Sequence, residues 1–122
     1  MTVPTATVVR DLDVGTWRSE VCDRFAAGAR LAGLYCTHRS DGAQLHALLA
    51  TDTGIECLRA PLVADPDGAM FYDSLTPAVP PAFWYERALH DLSGVVPVGH
   101  PRLDPLLLPL SPGQAHPRPG HP

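Results

Sequence analysis

The chain has 122 residues, 45% of them apolar and 18% charged, with a formal net charge of −4. That length suits one domain around one core. The negative balance and the complete lack of lysine argue against a nucleic-acid binder, which carries a basic face.

Thr5 to Arg10 read as a candidate edge strand. Thr16 then offers an N-cap, and Trp17, Val21, Phe25, Ala26 and Ala29 recur at helical spacing, which predicts an amphipathic helix from Trp17 to Arg30. Trp17 is expected in the core. From Leu31 the pattern changes to apolar runs of strand length: LAGLYCTHR, QLHALLA, IECLRAPLV and AMFYDSL. They are separated by Ser40-Asp41-Gly42, Thr51-Asp52-Thr53-Gly54 and Asp65-Pro66-Asp67-Gly68, all turn chemistry. Connections this short join antiparallel neighbours. Leu45, Ala47 and Leu49 share one face of their strand, with Gln44, His46 and Leu48 on the other.

Pro80 and Pro81 start a second helix and Gly94 ends it. At 100° per residue, Trp84, Tyr85, Ala88, Leu89 and Leu92 fall in one apolar sector, which is expected to be buried. Glu86, Arg87, His90 and Asp91 fall in the opposite sector and are expected in an exposed ion-pair network, with Phe83 projecting to that side. The fold class that follows is α+β. It is a two-layer sandwich, with an antiparallel sheet of three to four strands covered by two helices. Beyond Gly94, prolines at 97, 101, 105 and 109 suit an extended C-terminal strap, with Leu106, Leu107 and Leu108 expected to seek an apolar surface. Residues 1–110 form the single domain, and the Pro/Gly-rich tail 111–122 is expected to be disordered.

Local chemistry for catalysis is sparse. Cys22, Cys36 and Cys57 form no CxxC, so no thiolate metal site or iron–sulfur cluster is encoded, and buried structural thiols are expected. No P-loop, GxGxxG or GxSxG motif occurs. His90 and Asp91 are neighbours on a helix and diverge by roughly 100°, so with His100 they make a poor metal site. The tail run from His116 to His121 offers at most incidental metal binding. His100, between Gly99 and Pro101, reads as a turn residue bonded to backbone. The start of the chain lacks a basic region followed by an apolar stretch, and no run approaches the ~20 apolar residues of a membrane span.

The stretch SLTP, then PPAFWYERALHDLSG, then GHPRLDPLLLP resembles the signature of the thirty-kilodalton subunit of NADH-quinone oxidoreductase, the respiratory complex I enzyme. It is similar, more closely still, to the N-terminal domain of the large subunit of group 4 energy-converting [NiFe] hydrogenases. Trp84, Glu86, Arg87, Asp91, Gly94, Gly99, His100 and Pro101 match the pattern; the likeness covers about 35 of the 122 residues. The sequence departs at Ala88, where the pattern has Glu, at Ser93, where it has Phe, and at Phe83, where it has His or Asn. Arg102 and Asp104 stand in reversed order. The resemblance implies a non-catalytic subunit with no cofactor, metal or active site of its own. It would dock onto a large (quinone-site or NiFe) subunit and a small iron–sulfur subunit, at the cytoplasmic face of a membrane it touches only through other subunits. The catalytic domain is then expected on a separate polypeptide. The docking residues it implies are Phe83, Glu86, Arg87, His90, Asp91, His100, Arg102 and Asp104, with the strap from His100 to Leu108. The competing expectations are a stand-alone adaptor and a small metal- or ligand-binding protein unrelated to electron transfer.

Overall fold

A computed structural model describes residues 6–103. The elements run β1 (Ala6–Asp11), α1 (Val14–Ala26), β2 (Arg30–Arg39), β3 (Gly42–Thr51), β4 (Gly54–Val63), β5 (Phe71–Asp73), α2 (Ala82–Ser93) and β6 (Val96–Val98). The fold is α+β, with a four-stranded sheet in the order β1-β4-β3-β2 and two helices.

Strands β2, β3 and β4 form the expected antiparallel meander, closed by two tight turns. The fourth strand of that sheet is not the AMFYDSL run. It is β1, which lies along β4 in parallel, so the sheet is mixed. Phe71–Asp73 instead pairs in parallel with Val96–Val98 in a separate two-stranded sheet. The connection from Asp65 to Met70 carries β5 away from the meander, and its turn is closed by Asp65 Oδ1 accepting from the Asp67 and Ala69 N–H groups.

Helix α1 begins three residues before the predicted start. Asp13, not Thr16, is the N-cap, its carboxylate accepting from Thr16 N–H at 3.2 Å. A carboxylate at that position also meets the positive end of the helix dipole. The helix ends at Ala26 rather than Arg30, because Gly28 takes φ of 109° and turns the chain into β2.

The core lies between the helices and one face of the sheet. Leu45, Ala47 and Leu49 from β3 are fully buried there, as the alternation predicts, with Leu34, Leu58, Ala60 and Leu62 beside them. Helix α1 contributes Trp17 and Val21. The Trp17 indole N–H donates to the Leu58 carbonyl at 2.8 Å and its ring meets Tyr72 edge-on at 5.8 Å. An aromatic with its polar atom satisfied is a strong core anchor. Arg24 ties α1 to the sheet margin through Glu56 at 2.6 Å, and the guanidinium holds the Glu56 carboxyl below the usual carboxylate range. The other sheet face carries Val9, Leu48, Tyr35 stacked on His46, and the bidentate Arg59–Asp11 pair.

Two measurable consequences follow from this packing. A Cβ built on Gly42 would sit 1.9 Å from the Leu62 carbonyl oxygen. Gly42→Ala must therefore displace backbone and should lower stability by about 2–3 kcal/mol in urea titration. Burial raises the ionisation of all three free thiols, Cys36 to about 11. At pH 8 only about one Cys36 in a thousand is then thiolate, so disulfide reagents should label it only on unfolding. The sign for stability is definite. The Cys36 contribution is intact below the unfolded value near 9.0 and is lost as pH rises towards about 11, because only the unfolded chain ionises first.

Candidate functional site

Helix α2 carries Phe83, Glu86, Arg87, His90 and Asp91, most of the implied docking positions, so its setting decides what they can do. A turn from Leu75 leads in, with Val79 N–H bonded to the Leu75 carbonyl at 2.7 Å. Pro81 stands at the N-cap without a side-chain bond. Gly94, at φ of 78°, caps the other end and donates to the His90 carbonyl at 2.9 Å. Both boundaries are those the prolines and glycine predict.

The faces are not. Trp84 is 59% exposed and Leu92 72% exposed, whereas Glu86 is fully buried and Arg87 only 9% exposed. Leu89 is buried as expected. The helix is thus rolled by roughly one residue, about 100°, from the sector its apolar residues define. Its outward stripe is Trp84, Ala88 and Leu92, at i, i+4 and i+8.

The buried carboxylate explains this. Glu86 accepts from Tyr72 Oη at 2.6 Å, Ser74 Oγ at 2.6 Å, Thr76 Oγ1 at 2.6 Å, Leu75 N–H at 2.8 Å and Thr76 N–H at 3.3 Å. These donors are neutral and all lie within residues 72–76. The expected ion pairing of Glu86 on the surface is therefore replaced by a cradle of hydroxyl and amide donors. Burial, and then the facing carboxylate, push the Tyr72 phenol far above its ordinary range, so it stays a donor. A sequence signal for the cradle exists: Ser74 and Thr76 flank Leu75 just ahead of a helix with one glutamate.

The remaining side chains form a connected plate at the first turn of α2. The Arg87 guanidinium lies 5.1 Å from the Trp84 ring centroid and 5.7 Å from that of Phe83. Phe83 meets Trp84 edge-on at 5.0 Å and His100 at 4.9 Å. Arg102 N–H donates to His100 Nδ1 at 2.9 Å, which leaves Nε2 to donate to the Phe83 carbonyl at 3.0 Å. His100 is thus bonded to backbone on both ring nitrogens, as a residue between Gly99 and Pro101 was expected to be. His90 Nδ1 lies 3.9 Å from Asp91 Oδ1, and the Asp91 side chain is nearly enclosed. Asp104, Leu106 to Leu108 and the tail 111–122 lie outside the described residues.

Among the described residues no three His, Cys, Asp or Glu side chains are grouped to hold a metal ion. Glu86 is enclosed and saturated with donors, so it cannot meet a substrate. The larger surface cavity, about 470 Å³, sits at the C-terminal end of α1 between Arg24, Arg30 and Asp52, with no α2 residue in its lining. No described helix is long and apolar enough to cross a membrane. What the arrangement offers is a rigid aromatic–cation plate continuous with an outward apolar stripe, which is the chemistry of a contact surface.

Comparison with known proteins agrees with the motif. The family model described as respiratory-chain NADH dehydrogenase, 30 Kd subunit, matches residues 20–122. An NADH-quinone oxidoreductase subunit of the same kind, from a Nocardioides species, is 33% identical over 124 residues, covering 98% of this chain and 42% of that protein. The chain therefore spans less than half the length of that relative. With a fold, a helix motif and a family match in register, the chain belongs to the respiratory-chain NADH dehydrogenase 30 Kd subunit family.

Proposed function

We propose that this chain is a non-catalytic docking subunit of a membrane-associated oxidoreductase complex of the NADH-quinone oxidoreductase type. It holds no cofactor and works by fixing the relative positions of a large quinone-site subunit and a small iron–sulfur subunit on the cytoplasmic side. The observation that carries this reading is the outward Trp84–Ala88–Leu92 stripe on a helix whose glutamate is locked inside. A large aromatic and a leucine held in water on a rigid helix are costly to the isolated chain and favourable once a partner covers them.

Within this reading the eight implied positions divide into three roles. Trp84 and Leu92 replace the ionic residues as the principal anchors. Phe83, Arg87, His100 and Arg102 form the plate beside them, and His90, Asp91 and Asp104 frame its margin. Glu86 acts from inside by holding the helix. The similarity of the same motif to the group 4 hydrogenase large subunit supplies a second setting, in which the partner is a nickel–iron subunit.

Co-expression with the large and the iron–sulfur subunits tests the reading. The Trp84→Ala and Leu92→Ala variants should each weaken co-purification about ten-fold or more, as truncated interface anchors do. Their unfolding free energy should stay within about 0.5 kcal/mol of wild type, because neither side chain is in the core. A double variant that still co-purifies at wild-type yield would overturn the assignment. Stoichiometric metal in the purified chain would favour a small metal-binding protein instead.

A further inference from the structure

Helix α2 has two self-consistent ways to lie on this fold. In the one its hydrophobicity favours, Trp84, Tyr85, Ala88, Leu89 and Leu92 face the core and Glu86, Arg87, His90 and Asp91 face water. In the one observed, Glu86 is fully buried while Trp84 and Leu92 stand in solvent. The two differ by a rotation of roughly 100° about the helix axis. Apolar contacts are non-directional and tolerate such a rotation, whereas hydrogen bonds do not.

Glu86 is the side chain on α2 whose bonds discriminate between the two. Its carboxylate accepts five bonds from Tyr72, Ser74, Leu75 and Thr76, three of them at 2.6 Å. Rotating the helix by one residue would withdraw the acceptor from all of them. It would leave the Leu75 and Thr76 amides and three hydroxyls unpaired in a buried place. Exchanging the carboxylate for an amide would set a donor among those donors and weaken the restriction, at nearly unchanged side-chain volume.

We propose that Glu86 is a positioning residue that sets the roll of α2, holding the helix in the arrangement that turns Trp84 and Leu92 outward against its own hydrophobic preference. This goes beyond the docking reading and stands whether or not a partner covers the stripe. Its failure and that reading's failure show in different measurements, one in the isolated chain and one in co-purification.

Acrylamide quenching of tryptophan fluorescence reads the roll directly. Trp17 is fully buried, so quenching of the folded chain reports Trp84. Two variants are compared: Glu86→Gln, which places an NH2 group among the donors, and Ser74→Ala combined with Thr76→Val, which removes two hydroxyl donors and spares the helix. The quenching constant is expected to fall about two-fold or more in Glu86→Gln, and less in the donor variant, while urea unfolding stays cooperative. If Glu86→Gln does not fold, a reduced constant in the donor variant still supports the proposal. Wild-type quenching in any folded variant of the two would overturn it and leave Glu86 an ordinary stabilising group. Loss of cooperative folding in both would overturn it too, since a second packed arrangement of α2 would then not exist.

Discussion

A single buried carboxylate orders the C-terminal half of this fold. Glu86 reaches from α2 into the loop after β5 and gathers its donors from within five consecutive residues. Burying a charge is expensive unless its lone pairs are met, and here they face a ring of hydroxyl and amide groups. Removing the acceptor would strand several donors at once, at a cost of roughly 1–3 kcal/mol for each that stays buried and unpaired. By contrast, turning Leu92 inward would gain at most about 1.5–3 kcal/mol, and Trp84 is already part covered. The directional terms win over the apolar ones, so the helix takes the roll that hydrophobicity alone disfavours.

Consequences spread from that point through named contacts. Tyr72 is held by Glu86 and in turn packs edge-on against Trp17, which is bonded to the Leu58 carbonyl. Arg18 on α1 donates twice to the Ser74 carbonyl, inside the same segment. The two helices and the central strand β4 thus meet through residues 72–76. This is why a short segment with only three residues of strand matters more to the architecture than its length suggests. The small β5–β6 sheet serves to present these donors, and β6 then delivers His100 to the first turn of α2.

Much of this was legible in the sequence, and the limits are instructive. The meander was readable because turn residues separate alternating runs, and Leu45, Ala47 and Leu49 took the inner face as their period required. The ends of α2 were readable because Pro80, Pro81 and Gly94 act through local sterics. The parallel placement of β1 was not, since nothing local tells an edge strand which neighbour it will find after two hairpins. The start of α1 went to Asp13 because two good caps lay three residues apart and only the geometry of entry chose between them. The roll of α2 escaped for a deeper reason. Periodicity weighs each side chain by its own transfer free energy and cannot see a complementary set of donors elsewhere in the chain.

The same inversion alters how the family motif should be understood in this chain. An acidic residue and a basic residue side by side on a helix suggest surface ion pairs, which in water contribute little, about 0–1 kcal/mol each. In this structure the two neighbours do different work. Glu86 is turned inward on the fold, and Arg87 lies against the faces of Trp84 and Phe83, where its charge stiffens an aromatic surface. Ala88, standing where the pattern has a glutamate, sits between Trp84 and Leu92 on the outward stripe. A glutamate there would break that stripe with a charge, while alanine leaves it continuous. The departure from the motif and the exposure of its neighbours therefore describe one surface, more apolar than the pattern alone would give.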